Sequence, residues 1–423
     1  MDLRHPLTRL AGEIEWSVLS ESFGVLYDAA QGRPGLPNRL LVGLHYLKHA
    51  FDLSDEEVVL RWVENPYWQY FCGAEYFQHK LPVDGSQLTR FRSRIGAAGC
   101  ELRLKLTVMT GLSTKTVSAR SLSQVTVDTT VQEKAIAFPT DARLAHKGLE
   151  TLVRLARQLG LKLRQSYVRV GKRALFMHQR YQAARQTRRG RRELKKLKVY
   201  LGRVYREVQR QSAGLESAEL NELLARVGRV LTQRREDSHK RYGIHAPEVA
   251  CIAKGKAHQK YEFGVKVSVA ATSTQSNFVV GMCSLPGNPY DGHTLSGALD
   301  QVARLTGQRP KECFVDRGYR GHEETATTVF IAGQKRGITA RLKRLLKRRN
   351  AIEPVIGHMK EDGRLDRNTL KGTSGDAMNA LLVGAGHNLR LILRKLRLLF
   401  AWCWEWRSES IHRLDLPSTE IAF

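Results

Sequence analysis

Apolar residues recur every three or four positions through the first third of the chain, which is the pattern of amphipathic α-helices. The segments LPNRLLVGLHYLKHAF (36–51) and LSDEEVVLRWVENPYWQYFCG (53–73) both follow this period. Ser54 stands before the first turn of the second segment and Glu57 follows three residues later, which is the capping-box signature of a helix start. We therefore expect two helices here, with Pro66 ending or kinking the second.

A third helical segment, QLTRFRSRIG (87–96), carries three arginines, Arg90, Arg92 and Arg94. Short helices followed by a basic helix are typical of helix-turn-helix domains, whose last helix enters the major groove of DNA. A plain helical bundle with a solvated basic face fits the same pattern. Both interpretations stay open, and the three arginines are candidate DNA contacts.

Segments rich in Val, Ile and Thr follow, and they have the composition of β-strands. The first is SQVTVDTTVQEKAIAF (123–138); EVACIAKG (248–255), KYEFGVKVSVAAT (260–272) and NFVVGMCSL (277–285) then predict an antiparallel meander. Between the first strand and the meander, residues 141–240 return to the helical period. The pattern predicts a mixed α+β or α/β protein with a long helical segment inserted after its first strand.

The charge balance indicates a polyanionic partner. The 423 residues hold 69 Lys and Arg against 41 Asp and Glu, a formal net charge of +28. Such an excess is typical of proteins that bind nucleic acid, because neutralising phosphates releases counterions. Residues 161–210 hold seventeen Lys and Arg, among them Arg191, Arg192, Lys195 and Lys196, with two acids. An apolar stripe runs through this segment, so we predict a basic amphipathic hairpin or coiled coil that contacts DNA, pairs protomers, or does both.

Three further patterns argue against a disulfide-bonded or zinc-binding protein, a secreted protein and a membrane-spanning protein. The six cysteines are scattered without CxxC or Cys/His ligand spacing, so we expect free thiols in a reducing compartment. The N-terminus lacks the apolar run of a signal peptide, and four cations interrupt the apolar stretch 380–404. These patterns predict a cytoplasmic, nucleoid-associated protein without a membrane segment.

Three acids lie in contexts that suit chemistry. Asp128 lies in the strand segment VTVDTTV, where a carboxylate is costly unless it is paired or binds a metal. Asp316 ends the short strand CFVD, and Glu353 lies near the start of a helix in RRNAIEPVIGHMK (348–360). Each acid alone is better explained by a cap or a salt bridge, and a loop or N-cap role is also favoured for Asp291. Three carboxylates from separate elements, however, suit two Mg²⁺ ions that promote phosphodiester cleavage.

The motifs TVDTT, FVDRGYRG and RNAIEPVIGHMK resemble those of the DDE transposases of bacterial insertion sequences. These enzymes form a large ribonuclease-H-like group, and the number-five insertion-sequence family, with its helical N-terminal domain, is the closer match. The resemblance covers about residues 30–395. The last motif is the most specific: the group has Tyr, two residues, Arg, three residues, Glu, six residues and Lys. Arg349, Glu353 and Lys360 fit that spacing, whereas Leu346 stands where the family has tyrosine.

The resemblance implies a ribonuclease-H-like core, a mixed β-sheet with flanking helices, in which Asp128, Asp316 and Glu353 bind two Mg²⁺ ions. Mn²⁺ can substitute for Mg²⁺ in such a site. The family binds double-stranded DNA at the terminal inverted repeats of its element, hydrolyses the phosphodiester at each end and transfers the 3′-OH into target DNA. The DNA phosphates near the metals are expected to contact Arg349, Lys360 and Arg317. A homodimer or higher oligomer is expected in the synaptic complex.

With this resemblance the chain divides into four parts. They are a helical N-terminal DNA-binding or dimerisation domain (1–115), a catalytic core (120–140 and 241–375), an inserted basic helical segment (141–240), and a C-terminal helix and tail (376–423). Two other functions stay open: a catalytically inactive or domesticated DNA-binding regulator, and a ribonuclease-H-like nuclease that does not transpose. The three acids argue against the regulator, because a protein that only binds DNA has no reason to keep carboxylates near phosphates. Joining of the cut 3′-OH end to target DNA would distinguish a transposase from the nuclease.

Overall fold

The computed structural model describes the backbone of residues 1–27, 35–234, 236–238, 240–253, 260–334, 337 and 339–412, and side chains as far as residue 398. Tertiary contacts divide the chain into two compact units. The first unit is Met1–Gln132 with Lys266–Phe423, and the second unit is Glu133–Val265. The predicted helical segment 141–240 lies inside the second unit, while the four-part domain division stays a prediction.

The N-terminal part of the first unit is helical, as predicted. The capping box at Ser54 is confirmed: its hydroxyl accepts the Glu57 N–H at 3.0 Å, and its own N–H donates to the Glu57 carboxylate at 2.8 Å. The next helix starts anew at Pro66, capped by Asn65, because proline cannot continue the preceding helix. The sixth helix bends at Gly96, whose φ of 61° is left-handed. The helices are α1 (Pro6–Glu13), α2 (Trp16–Gly24), α3 (Asn38–Ala50), α4 (Asp55–Glu64), α5 (Pro66–Phe71) and α6 (Gly85–Ser113).

Parallel and antiparallel strands form one mixed sheet, as the sequence predicts. Strand β1 (Gln124–Glu133) is followed in the chain by β2 (Ala250–Ala253), β3 (Tyr261–Thr272), β4 (Val279–Leu285), β5 (Glu312–Val315) and β6 (Thr328–Ile331). In the first unit β1 is hydrogen-bonded to β3 on one side and to β5 on the other, and it runs parallel to β5. Beyond these neighbours, β6 pairs parallel with β5, and β4 pairs antiparallel with β3. Val125, Val127 and Val131 of β1 are fully buried, which makes β1 the central strand of the first unit.

The second unit contains the predicted basic helices, α7 (Asp141–Gln158), α8 (Val168–Ala183), α9 (Thr187–Gln211) and α10 (Ala218–Thr232). Helices α8 and α9 pack side by side, and α7 contacts both. The core of the unit consists of apolar side chains at helical spacing, including Leu149, Leu197, Leu201 and Val227. Within this unit β2 pairs antiparallel with the beginning of β3. The apolar stripe seen in the sequence is therefore the buried face of a helical bundle.

The remaining helices of the first unit are α11 (Asp291–Thr306), α12 (Ala340–Arg348), α13 (Ile352–Glu361) and α14 (Gly372–His412). Helix α14 packs against α3, α6 and β4. Its approach to α3 depends on Gly386, because a Cβ atom there would lie 2.5 Å from the backbone oxygen of His49. Among the described residues, no helix has both the length and the hydropathy needed to cross a membrane.

Candidate active site

Two of the predicted acids lie side by side on neighbouring strands, one within the central strand β1 and one directly after β5. Strands β1 and β5 are parallel neighbours, with Thr126 opposite Phe314. Continued by two residues, this register puts Asp128 beside Asp316. Side chains alternate along a strand, so residues at paired positions of parallel strands share a face of the sheet. The carboxylates of Asp128 and Asp316 are therefore brought together on one face, where β5 ends and β1 continues to Glu133.

Local hydrogen bonds orient these two carboxylates. Oδ1 of Asp128 accepts the backbone N–H of Thr129 at 2.8 Å. Asp316 is the N-cap of the short 3₁₀ turn Arg317–Tyr319, and its Oδ1 accepts the N–H of Gly318 at 2.8 Å. Both aspartates are half-buried, so they are open to a ligand from one side.

Arg349 links Asp128 to the third predicted acid. Its Nη1 donates to Asp128 Oδ2 at 3.2 Å, and its Nη2 lies 3.8 Å from Glu353 Oε1. The Arg349 side chain is only 11% exposed, whereas that of Glu353 is 67% exposed in the first turn of α13. The salt bridge that the sequence offers as an alternative role for Glu353 is present, as an i,i+4 ion pair with Arg349. Glu353 is thus joined to the aspartates through an arginine, and its carboxylate faces largely into solvent.

A fourth acid, Asp291, lies in the same site. It occupies the first turn of α11, where its Oδ1 accepts the Thr129 hydroxyl at 3.1 Å and the Lys266 ammonium at 3.0 Å. Lys266 also donates to the backbone oxygen of Pro289 at 2.7 Å. Thr129 therefore connects two acids, since its N–H bonds Asp128 and its hydroxyl bonds Asp291. The N-cap role favoured from the sequence is not seen, because Asp291 lies one residue inside the helix and Tyr290 is the N-cap residue.

Tyr319 lies beneath these acids with an unsatisfied hydroxyl. Its side chain is fully buried, and its hydroxyl has no hydrogen-bond partner among the described residues. Burial raises the pKa of Tyr319 well above its usual value, and the negative charges of Asp128, Asp291 and Asp316 raise it further. A buried hydroxyl without a partner is costly, and an ordered water or a bound ligand is its usual remedy.

The acids suit a divalent cation by donor chemistry. Carboxylate oxygens are hard ligands of the kind that Mg²⁺ and Mn²⁺ prefer. No group of three or more His, Cys, Asp or Glu side chains is arranged around a common metal position in the part of the chain that the structure describes. Arg349 lies between Asp128 and Glu353, which keeps Glu353 out of such a group. Asp128 and Asp316, beside the unpartnered hydroxyl of Tyr319, are the residues that fit a cation.

The cations predicted to contact DNA have different environments. Lys360 lies half-buried in the last turn of α13, and Arg317 is exposed immediately after Asp316. In the N-terminal domain Arg90 and Arg94 are exposed, but Arg92 is buried. The exposed cations predicted on α9 are Arg191, Arg192, Lys195 and Lys196.

Arg92 has a structural role. It donates to both carboxylate oxygens of Asp55, at 2.8 and 2.5 Å, and Lys48 donates to the same carboxylate at 2.7 Å. Its guanidinium is therefore committed inside the helical domain and is not available to DNA in this structure. The signal was present in the sequence, because Arg92 lies in the apolar stripe formed by Leu88, Phe91 and Ile95.

The sequence patterns missed Asp291 and Tyr319 as members of the site. Asp291 begins a helix after a loop, where acids are common for reasons of helix polarity alone. Tyr319 lies inside the motif FVDRGYRG, but nothing in the motif indicates that its hydroxyl is buried beside the carboxylates of three separate elements.

Comparisons with known proteins identify two transposase domains in the chain. Residues 1–94 match a family described as a transposase domain (DUF772), and residues 309–393 match a family described as a transposase DDE domain. An uncharacterized protein of Rhizobium meliloti, ORF8 in the nfe locus, is 57% identical over 183 residues, which are 43% of this chain and 88% of that protein. No solved structure matches the chain.

The DDE-domain match contains two of the three acids, Asp316 and Glu353, and Asp128 lies outside both matched segments. The parallel pairing of β1 with β5 brings that first acid beside Asp316. The three motifs, the two family matches and the position of the acids in the fold agree. The chain belongs to the DDE transposases of insertion sequences.

Proposed function

We propose that this transposase binds the terminal inverted repeats of its element, hydrolyses the phosphodiester at each end, and transfers the resulting 3′-OH ends into target DNA. One observation carries the proposal: the parallel pairing of β1 with β5 puts Asp128, within β1, beside Asp316, directly after β5, and Arg349 connects Asp128 to Glu353. A binding protein has no need of carboxylates beside a phosphate path, since they repel the ligand. Metal-dependent hydrolysis and transesterification both need such carboxylates, because they hold the metal ions.

Two divalent cations, Mg²⁺ or Mn²⁺, are the cofactors in this proposal, and they would activate the attacking hydroxyl and stabilise the leaving oxygen. Asp128 and Asp316 would hold them, with Glu353 as the remaining acid of the motif. Arg349 supplies a largely buried cation beside Asp128, and guanidinium groups can bind phosphate through two parallel N–H bonds. We assign Arg349, with Lys360 and Arg317, to the scissile phosphate and its neighbours.

A ribonuclease-H-like core is the fold that we assign to the first unit. The mixed sheet supports it: a central strand that carries the first acid has an antiparallel hairpin on one side and two parallel strands on the other. Helices α11 and α13 carry further residues of the site, Asp291 and Glu353, and α14 packs against the sheet and forms part of the core.

DNA outside the cleavage site is assigned to two basic surfaces, each within one unit. In the second unit, a groove of about 500 Å³ on α9 and α10 is lined by Arg191, Lys195, Lys198 and Arg206 among apolar residues. In the first unit, Arg90 and Arg94 on α6 are the exposed candidates that remain once Arg92 is excluded. Phosphate contacts of this kind give affinity and position without reading sequence. A homodimer or higher oligomer on paired ends completes the proposal.

The test uses purified full-length protein and labelled DNA that carries both ends of the element encoding this chain. With MgCl₂ or MnCl₂ the wild type should nick each end and join the free 3′-OH to a target duplex. Replacing the acids singly, as Asp128→Asn, Asp316→Asn and Glu353→Gln, should slow cleavage about a thousandfold or more, the scale on which loss of a catalytic group acts. Binding to the ends, measured by gel shift, should persist.

The matched control is Asp366→Asn, which neutralises an exposed acid on the short segment between α13 and α14. It should cleave like the wild type. Cleavage retained by Glu353→Gln would exclude Glu353 from the site. Cleavage without joining would indicate the nuclease, and binding without cleavage by the wild type would indicate the DNA-binding regulator.

A further inference from the structure

Asp291 belongs to none of the transposase motifs, yet one of its oxygens is directed into the site. Its Oδ1 is occupied by the Thr129 hydroxyl and the Lys266 ammonium. Its Oδ2 accepts no hydrogen bond from a described residue and faces Gly318: a Cβ atom at that glycine would lie 3.3 Å from Asp291 Oδ2. One oxygen of Asp291 is thus fixed, and the other is available to a ligand.

Asp316 faces the same space from the other side. Its Oδ1 accepts the Gly318 N–H, while its Oδ2 accepts no hydrogen bond from a described residue. The Cβ position at Gly318 would lie 3.0 Å from Asp316 Oδ1 and 3.6 Å from Asp316 Oδ2. Two carboxylates thus converge on the space above Gly318, which stays open because residue 318 has no side chain. Carboxylates at such proximity repel one another unless a cation lies between them.

An independent observation also indicates a ligand close to these carboxylates. The Tyr319 side chain is fully buried next to the same carboxylates, and its hydroxyl lacks a partner in the described part of the chain. A hydrated cation would supply a water to that hydroxyl. Mg²⁺ keeps several of its waters in proteins and is commonly bound by one or two carboxylates, so two acids are a sufficient protein contribution.

We propose that Asp291 and Asp316 together bind one divalent cation above Gly318, which makes Asp291 a metal-binding residue of the transposase. Lys266 neutralises Oδ1 of Asp291 and fixes its rotamer, which leaves Oδ2 for the cation. The proposal rests on the proposed function for its cation, Mg²⁺ or Mn²⁺. It adds an acid that the three transposase motifs omit.

The experiment is calorimetric titration of the full-length protein with MnCl₂ in the absence of DNA. Asp291→Asn should weaken Mn²⁺ binding at least tenfold. The matched control, Asp300→Asn, neutralises an exposed acid on the same helix and should bind Mn²⁺ like the wild type. Gly318→Ala keeps every acid but fills the space between the two carboxylates, so it should weaken Mn²⁺ binding similarly. This second variant keeps the test valid if Asp291→Asn does not fold.

A double variant separates a ligand from a structural partner. If Asp291 serves only to neutralise Lys266, then Asp291→Asn combined with Lys266→Met should restore Mn²⁺ binding, and the proposal is overturned. If Asp291 is a ligand, the double variant should bind as weakly as Asp291→Asn. Wild-type binding by Asp291→Asn, with binding abolished in Asp316→Asn, would also overturn the proposal while leaving the proposed transposase function intact. Absence of Mn²⁺ binding to the wild type without DNA would overturn it as well.

Discussion

Arg349 donates a hydrogen bond from Nη1 to Asp128 Oδ2 across 3.2 Å, although 221 positions of sequence separate the two residues. The same guanidinium lies 3.8 Å from Glu353. The arginine therefore neutralises two acids. In the proposed function a DNA phosphate would compete for the guanidinium, because Arg–phosphate bonds are charge-assisted and bidentate. That proposal thus couples binding of DNA to release of the acids through one side chain.

Arg349→Gln is expected to slow cleavage of element ends about a hundredfold, which corresponds to roughly 2.7 kcal/mol of transition-state stabilisation. The reason is the loss of the cation that contacts both acid and phosphate. Arg349→Lys should recover only part of the rate, since an ammonium cannot bond two carboxylates in the fork geometry of arginine. Single-turnover cleavage at saturating DNA is the measurement. Lys343→Gln, an exposed cation of α12, is the control, and a wild-type rate for Arg349→Gln would contradict the assignment.

Replacement of Arg92 should act on folding, whereas replacement of its neighbour Arg94 should act on DNA binding. Arg92→Ala leaves the buried carboxylate of Asp55 without its bidentate partner, and breaking such a pair costs about 3–5 kcal/mol of unfolding free energy. Arg94 is exposed and stacks over the ring of Tyr27 at 4.4 Å, so Arg94→Ala should cost about 1 kcal/mol or less. Urea unfolding measures the loss of stability in Arg92→Ala, and gel shift measures the loss of DNA binding in Arg94→Ala. Equal stability of the two variants would refute the structural role of Arg92.

The stability of the N-terminal helices should fall in acid through Asp55. Burial works to raise the pKa of Asp55, but hydrogen bonds and charges of Arg92 and Lys48 outweigh it and hold this pKa well below its usual range. A carboxyl with a depressed folded pKa contributes stability that is complete above its unfolded pKa, about 3.9, and is lost as the pH falls toward the folded pKa. Wild-type unfolding free energy should therefore decrease below about pH 5. Asp55→Asn should be less stable at pH 7 and show a shallower decrease.

Glu56→Gln provides the control for that titration, since Glu56 is the exposed neighbour of Asp55 in the same helical turn. Its pH profile should follow the wild type. A profile of Asp55→Asn parallel to the wild type down to pH 2 would show that other groups cause the acid sensitivity.

Two of the acids could be singled out from sequence because a carboxylate within or directly after an apolar β segment is conspicuous. Asp128 interrupts such a segment and Asp316 follows one, and the parallel pairing of their strands brings them together. The spacing of four residues likewise fits the Arg349–Glu353 pair, although Arg349 lies in a 3₁₀ turn before α13. Asp291 and Tyr319 required the tertiary structure. Asp291 matters because its carboxylate approaches Gly318 and Asp316 from an element distant in sequence, and Tyr319 because its hydroxyl is buried without a partner among the described residues. Local pattern carries no information about such distances.

The basic groove on α9 and α10 gives the last prediction, which concerns salt dependence. Arg191, Lys195, Lys198 and Arg206 line it, and removing one cation that neutralises a phosphate should reduce the slope of log affinity against log salt by about 0.9. The double variant Arg191→Gln/Lys195→Gln should therefore bind duplex DNA more weakly, with a slope smaller by about 1.8, and affinity should fall equally for end and random sequences. Arg226→Gln on α10 is the control, since Arg226 already pairs with Glu222. If the double variant kept the wild-type slope but changed the oligomeric state seen by light scattering, the groove would pair protomers instead of contacting DNA.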